Sequence, residues 1–417
     1  MSMELHYGHQ RLQLDLDVNN ENLLTLKLRR SNIDAIKLAL LVPIDSPPLH
    51  KLVHPGQKIA IITSDITRPC PSERLLPPLM EELTAAGVRD DDVTVVFGLG
   101  SHRGQTVEER VSLVGSEMME RLRCIDSDPQ DTILVGQTSR GTPIEVFRPI
   151  VEADVRIVLG NVEPHYFAGY SGGAKAIVPG VCSLNTIRAN HAMMVDPRSR
   201  GGNIEDNPLR LDIEEGAAMV GIDFMLNVIV DSEKNIIAAA AGNWKTAHRW
   251  ACRVVDAVSM TPISRLADIV IVSAGGYPKD INMYQAHKAL ENAVVAVKPG
   301  GQIIWLAECP DGLGHSVFEK WMVGSSPAQI LERIQQQFVL GGHKAAAIAR
   351  VLQRASILLV SALPDDLVRA CSMEPYSDLG EAYQVALKRA GTNPVITVIP
   401  EGASVMPKIL IFGDAEY

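Results

Sequence analysis

The fold reading turns on VRIVLGNVEPHYFAGYSGGAKAIVPG, Val155 to Gly180. Val155 to Val162 is a nearly unbroken apolar run of one strand's length, the pattern of a parallel strand covered on both faces. The next residues must leave the strand's carboxyl end, where open α/β sheets bind ligands. This loop, Glu163 to Gly173, carries His165 and closes on Ser171-Gly172-Gly173. Such glycines let backbone N–H groups approach an anion, and Lys175 stands beside them. Pro179-Gly180 then ends the segment before a helix bearing His191.

Two further runs end in the same way. KIAIITSD (Lys58 to Asp65) stops at SDITRPCP, where Pro69 prevents continuation and leaves Asp65, Thr67 and Arg68 at the carboxyl end. VTVVFGLG (Val93 to Gly100) runs into SHRG and leaves His102 and Arg103 on a loop. Taken singly, a histidine after a strand is ordinarily a hydrogen-bonded loop residue, and a Gly-Gly pair is a turn. Together, three strands are expected to bring Asp, Arg and His to one edge of one sheet. Turn chemistry does not explain a lysine set between His165 and His191 across a glycine loop.

The rest of the chain supports an α/β protein of about two domains, since 417 residues exceed a single core. Strands near 58–65, 93–100, 131–136, 155–162 and 224–231 alternate with helices near 71–87, 106–123, 183–194, 207–221 and 243–260. After Thr261-Pro262 a fresh series begins, with strands at 268–274, 301–308, 356–362 and 395–399 and helices at 283–298, 326–338, 342–355 and 377–390. The expected domains are therefore 1–262 and 263–402, both with mostly parallel sheets and with the active site in the cleft between them. The opening LHYGHQRLQLDL should add a hairpin edge to the first domain. The tail 403–417, with a short strand at Lys408 to Gly413, should return to it. SRGGN (Ser199 to Asn203) reads as a mobile flap.

Composition narrows the function. A net charge of −10 and a pI near 5.6 argue against nucleic acid or an anionic membrane as partner. The start has no apolar core flanked by positive charge, and nowhere do eighteen apolar residues run together. Six scattered cysteines without a Cys-x-x-Cys pair read as free thiols in a reducing compartment, so a cytoplasmic location is expected. Cys70 and Cys182 fall inside the motifs but are read as small core fillers.

DITRP, GLGSHRG, HYFAGYSGGAKAIVPG with a histidine downstream, and YQAHK at Tyr284 to Lys288 occur in an order that resembles the nickel-pincer lactate racemase family of 2-hydroxyacid racemases and epimerases. The resemblance covers nearly the whole chain. It implies that Lys175 is joined covalently, as a thioamide, to a nickel-pincer nucleotide, and that His191 is the protein ligand of a square-planar nickel. It also implies that Asp65, Thr67 and Arg68 lie against the cofactor or the substrate carboxylate, and that His102 and His165 are the acid/base pair. Gln285 and Lys288, with Tyr284 from the same motif, would hold the substrate.

The implied chemistry has its own logic. Pulling a proton from C2 of a 2-hydroxy acid is difficult, because the hydroxyl does not acidify that carbon and the carboxylate opposes a carbanion. Removing hydride instead gives a transient 2-keto acid, and one histidine per enantiomer takes the hydroxyl proton. A carboxylate clamp of Lys288, Gln285 and Arg68 must hold the acid while the keto group turns.

Plainer readings exist for several of these residues. Gln-x-x-Lys on a helix is usually a solvated face, Asp65 can cap the helix at Pro71 or pair with Arg68, and His287 reads as structural. No Trp follows Trp321, whereas the lactate enzyme uses a C-terminal tryptophan near the substrate's methyl group, so a larger 2-hydroxy acid or sugar acid is credible. Arg103 and Arg188 could serve a dicarboxylate. The expected partners are a small 2-hydroxy acid and the proteins that make the cofactor. Two other classes remain: a zinc hydrolase or lyase using His102, His165 and His191, and a cofactor carrier without turnover.

Overall fold

Val155–Asn161 is buried along its length and pairs in parallel with Ile59–Ser64 on one side and Phe224–Val230 on the other. It is the third of six strands in the computed structural model, which describes residues 2–16, 21–23, 34–68, 70–231, 234–336, 339 and 341–409. The sheet runs Ile236–Gly242, Phe224–Val230, Val155–Asn161, Ile59–Ser64, Val93–Gly98, Arg123–Asp126. All neighbours are parallel except the first pair. The chain leaves Ile59–Ser64 toward Val93–Gly98 but leaves Val155–Asn161 toward Phe224–Val230. The strand order therefore reverses between these two strands, and a crevice outside their carboxyl ends is the expected ligand position in such a sheet.

Local sequence sets the helices around this sheet. Thr106 and Glu109 form a reciprocal capping box on Val107–Val114, Ser183 caps Leu184–Ala192, and Asn207 caps Pro208–Val220 with Pro208 at its first turn. The single helix expected over 106–123 is broken at Gly115, whose φ of 81° is left-handed.

By contact the chain divides into two units. Leu28–Asp256 forms the first, and Met1–Lys27 with Ala257–Tyr417 forms the second. The second contains a wholly parallel sheet ordered Glu374–Tyr376, Ser356–Val360, Val297–Leu306, Ala267–Ser273, Ile396–Ile399, Glu21–Leu23. The α/β reading with mostly parallel sheets thus holds.

Three placements differ from expectation. Residues 1–27, expected in the first domain, belong to the second unit: Leu5, Leu14 and Leu16 pack in one core with Ile269, Ile271 and Ile304. A strand's alternation shows which face is apolar but not which core that face will find. Thr132–Gln137 is not a strand of the parallel sheet. The Thr138–Thr142 turn folds it back as an antiparallel partner of Pro143–Phe147, and Arg123–Asp126 takes the sheet edge instead. Its half-exposed residues fit a ribbon and not a buried central strand. At the tail, Met406–Ile409 pairs in parallel with Met260–Ile263, while 410–417 lie outside the described residues.

Candidate active site

The carboxyl end of Ile59–Ser64 delivers Asp65, which is 2% exposed and lies at the centre of a short hydrogen-bonded chain. His102, from the loop after Val93–Gly98, places Nδ1 2.6 Å from Asp65 Oδ2. The Thr67 hydroxyl donates to Asp65 Oδ1 at 2.8 Å. Burial alone would raise the Asp65 carboxyl. The hydrogen bond and charge of His102, with help from Thr67 and Arg68, outweigh it and hold the group below the usual carboxylate range. Asp65 is therefore an ionised acceptor that fixes the His102 tautomer as Nδ1–H and leaves Nε2 able to take a proton. It does not cap the following helix, whose N-cap Pro71 has no side-chain hydrogen bond. Thr67 and Arg68 are exposed beside it, and Pro69 is outside the described residues.

After Val155–Asn161 the chain makes a tight antiparallel pair, Pro164–His165 with Gly169–Tyr170. Its turn points the Ala168 N–H at His165 Nδ1, 3.3 Å away. An accepting Nδ1 makes His165 an Nε2–H donor in its neutral form. The two histidines thus differ: one offers a lone pair at Nε2, the other a proton. The His165 ring meets Phe167 edge-on at 4.6 Å, and Phe167 meets His191 at 5.0 Å. Lys175 Nζ lies 5.7 Å from the centroid of the same Phe167 ring. Lys175, His165 and His191 are therefore gathered around Phe167, whose only signal in the sequence is that of a plain loop aromatic.

The glycine loop differs from its expected role. Gly173 N–H is not turned to an anion but donates to Asn227 Oδ1 at 2.8 Å. The glycines are required by close packing. A Cβ on Gly172 would lie 2.6 Å from Asn227 Oδ1, and one on Gly173 2.8 Å from the His248 ring. Lys175 keeps part of its surface accessible. Desolvation first, then the positive charges of Arg68 and Arg210, push its ammonium well below the ordinary lysine range despite Glu163. Losing the proton therefore costs this amine less than it costs an ordinary lysine.

Other expected groups have other work. Arg103 makes a bidentate pair with Glu109 at 2.8 and 2.6 Å. The Ser199–Asn203 loop is tied down, since Gly202 N–H donates to the Gly169 carbonyl at 3.0 Å and Asn207 Nδ2 donates to the Asn203 carbonyl at 3.2 Å. Cys70 and Cys182 are free, buried thiols. Gln285 and Lys288 lie on the exposed face of Met283–Ala293 in the second unit, and His287 is wholly buried with Nδ1 2.9 Å from the Tyr284 carbonyl. Tyr284 is half-buried and stacks on His315 at 4.9 Å, with Lys344 Nζ 3.5 Å from its ring centre. Among the described residues, no three or more His, Cys, Asp or Glu side chains are gathered to hold a metal ion, and no helix is long and apolar enough to cross a membrane.

Comparison with known proteins agrees along the chain. Residues 7–202 match the lactate racemase N-terminal domain, and residues 263–407 match the lactate racemase C-terminal domain. The lactate racemase of Thermoanaerobacterium thermosaccharolyticum is 35% identical over 422 residues, covering 97% of this chain and 99% of its own. That of Lactiplantibacillus plantarum is 32% identical, covering 98% and 100%. The solved structure of the Thermoanaerobacterium apoprotein superposes with a TM-score of 0.89 over 98% of this chain and 100% of that one. A Thermotoga maritima protein shares the fold alone, at 19% identity, a TM-score of 0.61, and coverage of 87% and 96%.

Proposed function

The chain belongs to the lactate racemase family, and from that premise we propose that it racemises or epimerises a 2-hydroxy acid, lactate or a larger one, with a nickel-pincer nucleotide held on Lys175 and His191. The observation that carries this reading is the pairing of Lys175, whose ammonium is disfavoured, with two histidines held in opposite tautomers, His102 on Asp65 and His165 on the Ala168 N–H.

The residues suit the cofactor. Covalent attachment needs an amine free of its proton, and the surroundings of Lys175 favour loss of that proton. His191 would offer an imidazole beside the same Phe167 ring, and an imidazole is an appropriate donor for nickel. When bound, the nucleotide supplies a hydride acceptor that the twenty amino acids lack. The protein's own part is proton transfer and orientation. His102 Nε2 accepts the substrate hydroxyl proton while Asp65 stabilises the imidazolium that forms. His165 acts as the acid from its doubly protonated form, with the 3.3 Å Ala168 contact released: its Nε2–H gives a proton to the oxygen that must become the hydroxyl of the opposite enantiomer, and the ring returns to neutral. After a turnover the two rings have exchanged states, as the reverse direction requires. Arg68 is an exposed guanidinium suited to a carboxylate, and Gln285 and Lys288 are proposed to bind substrate on the strength of the family motif.

A zinc hydrolase would need three gathered donors, which the described residues do not offer. A carrier would have no use for the Asp65–His102 pair. The test is intact mass and turnover on protein purified from a nickel-supplied host that makes the cofactor. A covalent adduct mapped to Lys175, with interconversion of lactate or longer 2-hydroxy acid enantiomers on a chiral column, is expected. Loaded protein that interconverts none of them would leave the carrier reading, and a protein without an adduct would remove the cofactor from the account.

A further inference from the structure

Arg210 is the largest charged side chain with no exposure at all, and the proposed reaction gives it no task. It sits on Pro208–Val220, and its guanidinium is divided among three elements. Nε donates to Glu214 Oε1 at 2.8 Å on its own helix. Nη1 donates to the Tyr170 carbonyl at 3.3 Å. Nη2 lies 3.1 Å from His248 Nδ1, and His248 Nε2 lies 2.7 Å from the Ser171 carbonyl. An arginine can only donate, so His248 Nδ1 accepts and its Nε2–H donates to Ser171. Burial, then the neighbouring Arg210 charge, keep His248 well below its ordinary range, consistent with that neutral tautomer. Two consecutive carbonyls just before the glycine pair are thus held by one guanidinium, one directly and one through a ring. The same His248 ring is the wall that excludes a Cβ at Gly173.

The guanidinium has a carboxylate partner. Glu214 takes Arg210 on Oε1 and Arg249 on both oxygens, at 2.8 and 3.0 Å. A buried guanidinium left without a carboxylate would be strongly destabilising, and with one it is a rigid post. Plain packing would be met by an apolar side chain of the same volume. What an apolar side chain cannot do is grip two successive carbonyls and set a permanent positive charge behind an amine.

We propose that Arg210 is a positioning residue for Lys175: through the Tyr170 carbonyl and His248 it fixes the backbone leading into the glycine loop and so presents the Lys175 amine as a nucleophile. This rests on the reading of Lys175 as the cofactor's attachment point. The charged groups that act on the amine are Arg68 from the loop after Ile59–Ser64, Glu163 from the loop after Val155–Asn161, and Arg210 from its helix. Glu163 favours the ammonium and both arginines oppose it. Of the two arginines, Arg68 is exposed to screening solvent and Arg210 is not.

The test reads the amine itself, without cofactor. Full-length protein is labelled with trace acetic anhydride across pH 6 to 11, and acetylation of Lys175 is quantified by peptide mass spectrometry against the exposed Lys37 as internal standard. In the native protein Lys175 should titrate well below the ordinary lysine range. In Arg210→Met the Lys175 midpoint should rise, and labelling at pH 7 should fall about tenfold for each unit of that rise. An unchanged profile in folded Arg210→Met would overturn the proposal. If that variant does not fold, Arg210→Lys carries the test: it keeps the charge but cannot reach both the Tyr170 carbonyl and His248. There, hydrogen exchange at the Ser171 to Ala174 amides should accelerate while Arg249→Gln, whose side chain pairs with Glu214 and Glu205 and makes no hydrogen bond to the Tyr170 carbonyl or His248, leaves it unchanged. Equal protection in Arg210→Lys and wild type would overturn it. A reactive, Arg210-dependent Lys175 that never acquires the cofactor would instead count against the proposed function and leave this inference standing.

Discussion

Each unit is built on a six-stranded sheet whose order reverses beside a central strand, yet the two crevices are put to different uses. In the first, the ends of Ile59–Ser64 and Val155–Asn161 lead into Asp65, Thr67, Arg68 and His165. In the second, the equivalent ends of Ala267–Ser273 and Ile396–Ile399 are occupied by the chain's own backbone. Ser273 Oγ donates to the His6 carbonyl at 2.5 Å, Gly402 N–H donates to the Ser273 carbonyl at 2.9 Å, and Gly8 N–H donates to Asp280 Oδ2 at 2.7 Å. A Cβ on Gly8 would come within 1.8 Å of Glu308. The same architecture supplies the candidate site in one unit and a hairpin's seat in the other. Function lies in the loops and not in the sheet.

The contrast is broken most directly at Lys175. Lys175→Ala should lose both the adduct, read by intact mass, and all racemisation, while no lysine-to-alanine change in the second unit should remove the adduct. Next come the two buried aspartates at the sheet ends. Asp65→Asn should lower kcat by about 10² to 10⁴, since His102 loses its fixed tautomer. Asp280→Asn should leave kcat within a few-fold but cost about 1–3 kcal/mol of stability, seen as faster exchange at residues 6–9. A large kcat loss in Asp280→Asn would mean the second crevice has chemistry after all.

The units should also respond oppositely to pH. Burial would raise Glu214, but Arg249 and Arg210 outweigh it and hold it at about 2, against 4.5 ordinarily. Its contribution is complete above about pH 4.5 and is lost as pH falls through about 2. Glu291 is pushed by burial up to about 7, only partly offset by Arg350, Lys344 and Lys288. It is accommodated as the neutral acid, so stability is highest below about pH 4.5 and is lost as pH rises through about 7. Each effect is on the order of 3 kcal/mol. Exchange resolved by unit from pH 3 to 8 checks this, and Glu291→Gln should flatten the second unit's profile alone. The smallest contrast is between left-handed glycines. Gly173→Ala meets both strain and the His248 ring and should cost about 2–3 kcal/mol, whereas Gly300→Ala, with nothing near its Cβ, should cost about 1 kcal/mol in thermal or denaturant unfolding.

Much of the site is legible in the chain because its residues sit just past strands that announce themselves. Val155–Asn161, Ile59–Ser64 and Val93–Gly98 are apolar almost throughout, so their ends, and hence Asp65, His102 and His165, are found by counting. Phe167 and Arg210 escape such counting for a shared reason. An aromatic on a loop and an arginine on a helix look the same in sequence whether they face solvent or lie beneath a loop. One signal is present: Arg210 and Glu214 stand four apart on a helix capped by Asn207, with His248 and Arg249 on another. Spacing of that kind identifies a pair but cannot tell that it is buried.

By itself, then, the sequence determined the periodic elements, the α/β class and the family's motifs, since these depend on residues near one another along the chain. Tertiary structure alone decided that residues 1–27 join the second unit, that Thr132–Gln137 leaves the sheet, and that Gly172-Gly173 packs against Asn227 and His248 and is not turned to an anion. Each of those outcomes depends on which buried face or polar group meets another from far along the chain, and local propensity carries no information about that partner.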